Sequence, residues 1–274
     1  MTDRTGTKIR RAILIAAGRG KRLGPHTEDI PKCMVQVGAR PILGWVWQAF
    51  RAAGIEELIV IRGYRGDVLE TFARQLVPEV RFVDNRAWQT NNVLLSLACA
   101  RAYLDRPCLI SYSDILFTPA VAQAAAASDA EIALVIDREF RAIYQGRTEH
   151  PLDEGEVSDL MPDGSVARVG KRALPPSEAV GEFIGLTKLG ERGVATVART
   201  LDALARHYDG REHEPFQRAA AYRNAYLTDL WQELIDRGIR IDPVFITGSW
   251  REIDTGQDLY RARHLLESSE GEWS

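Results

Sequence analysis

The chain has little cysteine, no apolar run of membrane length and no excess charge of one sign. Its three cysteines, Cys33, Cys99 and Cys108, are odd in number and lack the paired spacing of a zinc site. This excludes a disulfide-stapled scaffold and a cysteine-built metal centre, and it suits a reducing cytoplasm. No stretch approaches the roughly 20 apolar residues that a bilayer requires, and none reads as a secretory signal, so the expectation is a cytoplasmic protein with no membrane partner. Thirty-five Lys and Arg against 38 Asp and Glu give a formal charge of −3 with no basic stripe, so no nucleic-acid partner is expected. The five histidines are scattered, and no Ser–His–Asp or Cys–His arrangement competes as a nucleophilic site. There is no internal repeat. What remains is a globular chain of 274 residues, 45% hydrophobic, long enough to bury a full core. It is expected to form a single domain over residues 8–267, monomeric or homodimeric, with flexible tails at 1–7 and 268–274.

The most informative stretch runs from Arg11 to Leu43. An apolar run, Ala12 to Ala17, has the character of a buried parallel strand. A glycine-rich turn follows, Gly18-Arg19-Gly20-Lys21-Arg22-Leu23-Gly24, then Pro31-Lys32. Small residues at Ala16, Ala17, Gly18 and Gly20 let a ligand approach the backbone, whose N–H groups can face phosphate oxygens. Lys21, Arg22 and Lys32 add positive charge, so the stretch suits a triphosphate. It is not a dinucleotide fingerprint, because the third glycine comes one residue late at Gly24. Nor is it a P-loop, because Gly20-Lys21 is followed by Arg22 rather than Ser or Thr.

Beyond Leu43, helical and strand-like segments alternate up to Ile136. This predicts βαβ units, a parallel sheet, and a ligand crevice at the C-terminal ends of its strands. From Arg138 the rhythm changes. Glu156 to Lys171 reads as a hairpin around Pro162-Asp163-Gly164, and Val180 to Leu189 as a further strand. The expected fold class is α/β: a Rossmann-like, mixed and mostly parallel sheet flanked by helices. A small antiparallel insertion is expected on the substrate side, over about residues 138–190.

Two aspartates stand at predicted strand ends, Asp114 after Ile110-Ser111-Tyr112-Ser113 and Asp254 after Trp250 to Ile253. Carboxylates from separate strands can converge on Mg²⁺, although each alone also suits a helix N-cap. Thr90-Asn91-Asn92 sits at a helix start, where N-capping and contact with a nucleotide base are both open. Ser113 is a second candidate for the nucleotide.

Taken together, these motifs resemble the pyrophosphorylase-type nucleotidyltransferases, whose signature is L-A-A-G-x-G-[ST]-R-[LM], then P-K, then G-x-P-[IL]-[IL]. This chain keeps Ala16-Ala17-Gly18-Arg19-Gly20, Arg22-Leu23, Pro31-Lys32 and Arg40-Pro41-Ile42-Leu43. It departs at Lys21, where the family has Ser or Thr, and at Ala39. The resemblance implies Arg22 and Lys32 as catalytic residues, and Ala16, Ala17, Gly18, Gly20, Lys21, Asn91 and Ser113 as nucleotide contacts. It implies Asp114 and Asp254 as ligands of the cofactor Mg²⁺.

Three further pieces resemble the cytidylyltransferases of small phosphonates, phosphocholine and phosphoamino acids. They are Pro31-Lys32-Cys33-Met34-Val35, Thr90-Asn91-Asn92 with Ser113-Asp114, and Gly146 to Leu152 with Gly170-Lys171 and Gly181-Glu182-Phe183. This implies CTP and a small phosphonate or phosphoryl acceptor, such as 2-aminoethylphosphonate, hydroxyethylphosphonate, phosphonoformate or phosphocholine. Arg147, His150 and Lys171 become expected anchors for its anionic group, and Glu182 and Asp229 for an ammonium or hydroxyl. The alternatives are a sugar-1-phosphate nucleotidyltransferase using UTP, GTP or dTTP, and a non-catalytic nucleotide-binding regulatory subunit. A phosphocholine acceptor would favour an aromatic box, for which Tyr144, Tyr226, Trp231 and Trp250 are available.

Overall fold

The computed structural model describes residues 8–268 and residue 273. The expected tails at 1–7 and 268–274 lie outside the described residues, except that Ser268 closes the last helix and Trp273 is buried in the core. In chain order the elements are β1 (Arg11–Ala16), β2 (Gln36–Val37), β3 (Arg40–Pro41), α1 (Ile42–Ala52), β4 (Glu57–Arg62), α2 (Gly66–Leu76) and β5 (Val80–Asp84). Next come α3 (Val93–Cys99), β6 (Cys108–Tyr112), β7 (Ile115–Phe117), α4 (Pro119–Ala127), β8 (Ile132–Asp137), α5 (Phe140–Tyr144), β9 (Glu156–Leu160) and β10 (Val166–Lys171). The chain ends with β11 (Gly181–Leu189), α6 (Glu191–His207), α7 (Leu227–Asp236), β12 (Asp242–Ile246), β13 (Trp250–Glu252) and α8 (Gly256–Ser268).

Nine strands form one mixed sheet in the order β10-β9-β11-β6-β1-β4-β5, with β8 pairing β11 and β12 pairing β8. All its strands except β10 and β11 run in one direction. Alternate residues of β1 feed the two faces. Leu14 packs with Val60, Phe50 and Phe117 under α1 and α4, and Ile13 packs with Ile59, Leu97 and Trp231 under α3 and α7. Burial on both faces explains why β1 is apolar throughout rather than alternating.

The run of parallel strands is interrupted at β11, which lies antiparallel between β6 and β8. All nine of its residues are buried, so its sequence carries no mark of its direction. The stretch 138–190, expected as an insertion, contributes β9, β10 and β11 to the main sheet. At Gly185 (φ 88°) the register of β11 shifts, and the ring of Tyr112 fills the space where a side chain would stand. A Cβ at that position would meet Tyr112 Cδ2 at 2.3 Å.

A two-stranded ribbon assembles the site. β13 pairs antiparallel with β7, with Glu252 opposite Ile115, and Ile253 N donates to the carbonyl of Asp114 at 2.8 Å. Asp114 and Asp254, 140 residues apart in sequence, are thereby brought to one edge. The ribbon is pinned to the main sheet at Asp137, a fully buried carboxylate at the end of β8. It accepts hydrogen bonds from Trp250 Nε1 (2.8 Å), Gly248 N (2.9 Å) and Glu139 N (2.9 Å).

The Gly185→Ala variant is expected to be destabilised by roughly 2–4 kcal/mol, combining a left-handed backbone cost with overpacking. Urea unfolding checks this. A midpoint equal to that of the parent would contradict the packing described for Tyr112.

Candidate active site

A cleft of about 400 Å³ opens at the C-terminal ends of β1, β5 and β6. Its central wall is the turn after β1. Gly20 adopts a left-handed conformation (φ 72°), and a Cβ there would meet Lys32 Cδ at 2.8 Å, so the glycine makes room for the lysine stem. Lys32 follows Pro31 and begins a short 3₁₀ turn.

Charged groups gather at the centre of the cleft. Buried Lys32 donates from Nζ to Asp114 Oδ2 at 2.8 Å and to Asp254 Oδ1 at 2.7 Å. Burial opposes its charge, but the two carboxylates overcome that penalty and hold the ammonium well above the usual lysine range. Arg22 pairs with Asp254 and, at 3.0 Å, with Glu154. Asp254 is buried, which disfavours its charged form. Lys32 and Arg22 nonetheless hold its carboxyl well below the usual range. His150 Nδ1 lies 3.3 Å from Asp254 Oδ2 and 3.5 Å from Glu252 Oε2, outside hydrogen-bond geometry.

These residues fit a divalent cation. Asp114 Oδ1 is buried with no hydrogen-bond partner, which leaves a hard oxygen available beside Asp254. Donor atoms of His150, Glu252 and Asp254 also lie within 4.8 Å of one another. Glu252 was not evident as a site residue from sequence. Its signal is the i, i+2 spacing to Asp254, which puts both on one side of an extended segment.

One end of the cleft is neutral and the other charged. Beyond Gly18, the wall after β5 carries Trp88, Asn91, Asn92 and Ser96. Beyond Asp114, it carries Glu156, Lys171 and Glu182, with Tyr226. Glu156 accepts from Tyr112 OH at 3.0 Å and Thr228 Oγ1 at 3.1 Å. Glu182 accepts from Tyr144 OH at 2.6 Å through Oε1, while its buried Oε2 has no partner. Burial is the main cause that pushes Glu156 up to about 7 and Glu182 up to about 8. Lys171 Nζ stands 4.8 Å above the Tyr226 ring, and the Arg147 guanidinium 5.0 Å above that of Tyr144. These two ring faces are therefore covered, and Trp231 is wholly buried in the core.

The cleft brings together Ala17, Gly18, Gly20, Lys21, Arg22, Lys32, Asn91, Ser113, Asp114, His150, Lys171, Glu182 and Asp254. Three residues expected at the site do not line it. Ala16 is buried within β1 as its last residue. Arg147, expected as a substrate anchor, instead holds Asp258 through two bonds (2.7 and 3.0 Å) and Glu252 through a third (2.9 Å). These bonds, from Nε and Nη2, tie α8 and β13 to the loop of Arg147, while its buried Nη1 has no partner. Asp229, expected to bind an ammonium or hydroxyl, caps α7 by accepting from the backbone N–H of Tyr226 (2.8 Å) and Arg218 (3.2 Å).

Residues 12–241 match the family model for the MobA-like NTP transferase domain. The chain belongs to that family. It is a nucleotidyltransferase, and its sheet carries the mixed topology of the nucleotide-diphospho-sugar transferase fold. It is 30% identical over 256 residues to the CTP:phosphoglutamine cytidylyltransferase of Campylobacter jejuni, covering 90% of this chain and 97% of that protein. It is 29% identical over 171 residues to the 2-aminoethylphosphonate cytidylyltransferase of Lancefieldella rimae, covering 62% and 64%. Among solved structures, the inositol-1-phosphate CTP transferase from T. maritima superposes with a TM-score of 0.75 at 21% identity, over 97% and 98% of the two chains. That similarity speaks to the fold. No helix among the described residues is long and apolar enough to cross a membrane.

The two raised carboxyls predict a pH dependence. In the folded chain Glu156 and Glu182 keep protons that their unfolded counterparts release near pH 4.3. Stability from this source is present below that pH and is lost as the pH rises through about 7 and about 8. Thermal melts between pH 5 and 9 are expected to show a declining midpoint, and Glu182→Gln is expected to flatten the decline. An unchanged slope in that variant would contradict the assignment.

Proposed function

We propose that the enzyme is a cytidylyltransferase. It couples CTP to a small phosphonate or phosphoryl acid, giving a CMP-linked product and pyrophosphate. The observation that carries this reading is the central cluster of Lys32, Asp114, Asp254 and Arg22, beneath a glycine turn, between a neutral and a charged end of one cleft. The relatives that act with CTP on phosphoglutamine and 2-aminoethylphosphonate support the choice of nucleotide and of acceptor class.

The triphosphate lies along the Gly18 to Lys21 turn, its oxygens facing backbone N–H groups and the cations. The base extends toward Trp88 and Asn91, where the wall carries no formal charge. The acceptor occupies the end with Lys171 and Glu182, its anionic group held by Lys171. A phosphonyl or phosphoryl oxygen is already anionic at neutral pH, so no general base is required. That oxygen attacks the α-phosphorus in line, its new bond to phosphorus forms, and the bond from the α-phosphorus to the bridging oxygen of the β-phosphate breaks. Pyrophosphate leaves with both bonding electrons, and its charge is met by Arg22 and Lys32. Asp114 and Asp254, with Glu252 beside them, would hold Mg²⁺. The ion would supply charge neutralisation between the nucleotide and acceptor anions.

Pyrophosphate release tests this with CTP, UTP, GTP, ATP and dTTP, each paired with pooled phosphonates and phosphorylated amines or with pooled sugar 1-phosphates. Release is expected with CTP and the first pool. Release only with another triphosphate and a sugar 1-phosphate would overturn the reading. The Asp114→Asn variant is expected to lose roughly 10²–10³-fold in kcat/KM at temperatures where it stays folded, and to melt below the parent because Lys32 keeps only one carboxylate. Full activity in that variant would remove Asp114 from the mechanism.

A further inference from the structure

Asn85, one residue beyond β5, lies outside the cleft and is almost wholly buried. Its carboxamide uses its full hydrogen-bonding capacity. Nδ2 donates to Asn91 Oδ1 at 2.8 Å and to Ser96 Oγ at 2.9 Å. Oδ1 accepts from the backbone N–H of Ala87 at 3.1 Å and from Asn91 Nδ2 at 3.0 Å. Both side-chain partners, Asn91 and Ser96, line the neutral end of the cleft.

The orientation of this network follows from its chemistry. The Ala87 N–H can only donate, so the Asn85 atom facing it must be oxygen, and the Asn85 nitrogen must turn to the other side. Ser96 Oγ spends its proton on the Asn92 carbonyl at 3.1 Å and is left to accept from that nitrogen. The amides of Asn85 and Asn91 then close a reciprocal pair, which fixes which way round Asn91 lies. Asn91 retains one N–H and one oxygen lone pair. The first faces an acceptor and the second a donor. Turning the amide over would exchange them.

A nucleotide base is a neutral heteroaromatic ring, and a phosphonate or phosphoryl acceptor is charged. The uncharged wall of Trp88, Asn91 and Ser96 suits the first, and the wall of Glu156, Lys171 and Glu182 suits the second. Cytosine and uracil differ in the donor and acceptor pattern of their edge, so a single amide of fixed orientation can separate them.

We infer that Asn85 is a specificity-determining positioning residue: by locking the Asn91 carboxamide in one orientation, it sets which nucleoside triphosphate base the cleft accepts. This rests on the nucleotide-transfer reading above. Asn85 touches no substrate and acts through Asn91.

The test is the isosteric Asn85→Asp variant. A carboxylate keeps the bond from Ala87 N–H but has no proton to give Asn91 Oδ1, so the reciprocal pair cannot form as before. Steady-state kcat/KM and calorimetric binding are measured for CTP and UTP, and for any other triphosphate that the wild type prefers. The preference of the wild type is expected to fall by about tenfold or more, mostly through KM of the preferred nucleotide. Ser96→Ala, which removes the acceptor for the second Asn85 proton and the bond to the Asn92 carbonyl but leaves the Asn85–Asn91 pair, is expected to shift the preference in the same direction by less. A purely structural role would weaken all triphosphates together and leave their ratio unchanged, which would overturn the inference. So would a wild type that does not discriminate among bases. If the wild type prefers a triphosphate other than CTP, the cytidylyl reading fails. The inference then stands or falls on whether Asn85→Asp erases that other preference.

Discussion

The structure depends on one ammonium group. Lys32 sits in a buried position where its charge would be costly alone, and two carboxylates from distant parts of the chain make it tolerable. The same contact suppresses the repulsion between Asp114 and Asp254, which face it from either side. Removing one partner from a buried arrangement of this kind costs about 3–5 kcal/mol in general, because it strands the other. The cluster therefore ties the turn after β1 to the segments that follow β6 and β13, and those three segments form the floor of the cleft. The anions of a bound triphosphate would compete for the same cations. A cleft built this way holds its cations in place before the nucleotide arrives.

Around that centre the cleft is asymmetric, and the asymmetry has a physical use. Amide, indole and hydroxyl groups at one end offer directional hydrogen bonds to a neutral ring without the cost of pairing a charge. The other end presents an ammonium over a tyrosine ring and two buried carboxyls whose protonation is set by desolvation. The Lys171 ammonium suits an anionic group, and carboxyls that keep their protons suit further polar groups. Arg147 and Asp258 do not line the cleft, yet they hold Glu252 and the backbone of Asp254 and Thr255 through a continuous set of hydrogen bonds.

Much of this was legible in the residues. The glycine turn, Pro31-Lys32 and the two aspartates could be assigned because each carries a local signature, and they do meet in one cleft. The alternation of strands and helices was legible as far as β8. The antiparallel character of residues 138–190 was also expected, but not their place in the main sheet, because β11, buried on both faces, gives no sign of which strands flank it. The short strand before Asp254 was legible, but the three-residue β7 falls below the length at which periodicity can be read, so the pairing of β7 with β13 that joins Asp114 to Asp254 was invisible. Arg147 and Asp229, both expected at the site, fall outside the lining of the cleft for a single reason. An arginine or aspartate that binds substrate and one that satisfies a buried helix terminus or carboxylate have the same local sequence, and only the fold separates them. Asn85 is the converse case, an ordinary turn residue in sequence whose buried hydrogen bonds to Ala87, Asn91 and Ser96 are seen only in the fold.

The most direct test of the central claim is the identity of the bond that the enzyme makes. Phosphorus-31 NMR of wild-type protein with CTP, Mg²⁺ and a phosphonate acceptor such as 2-aminoethylphosphonate would follow it. The account predicts a new pair of coupled resonances, one from a phosphonate and one from the α-phosphate of CMP, growing in step with pyrophosphate. CMP and pyrophosphate with no coupled pair, or a coupled pair only when a sugar 1-phosphate replaces the phosphonate, would contradict it.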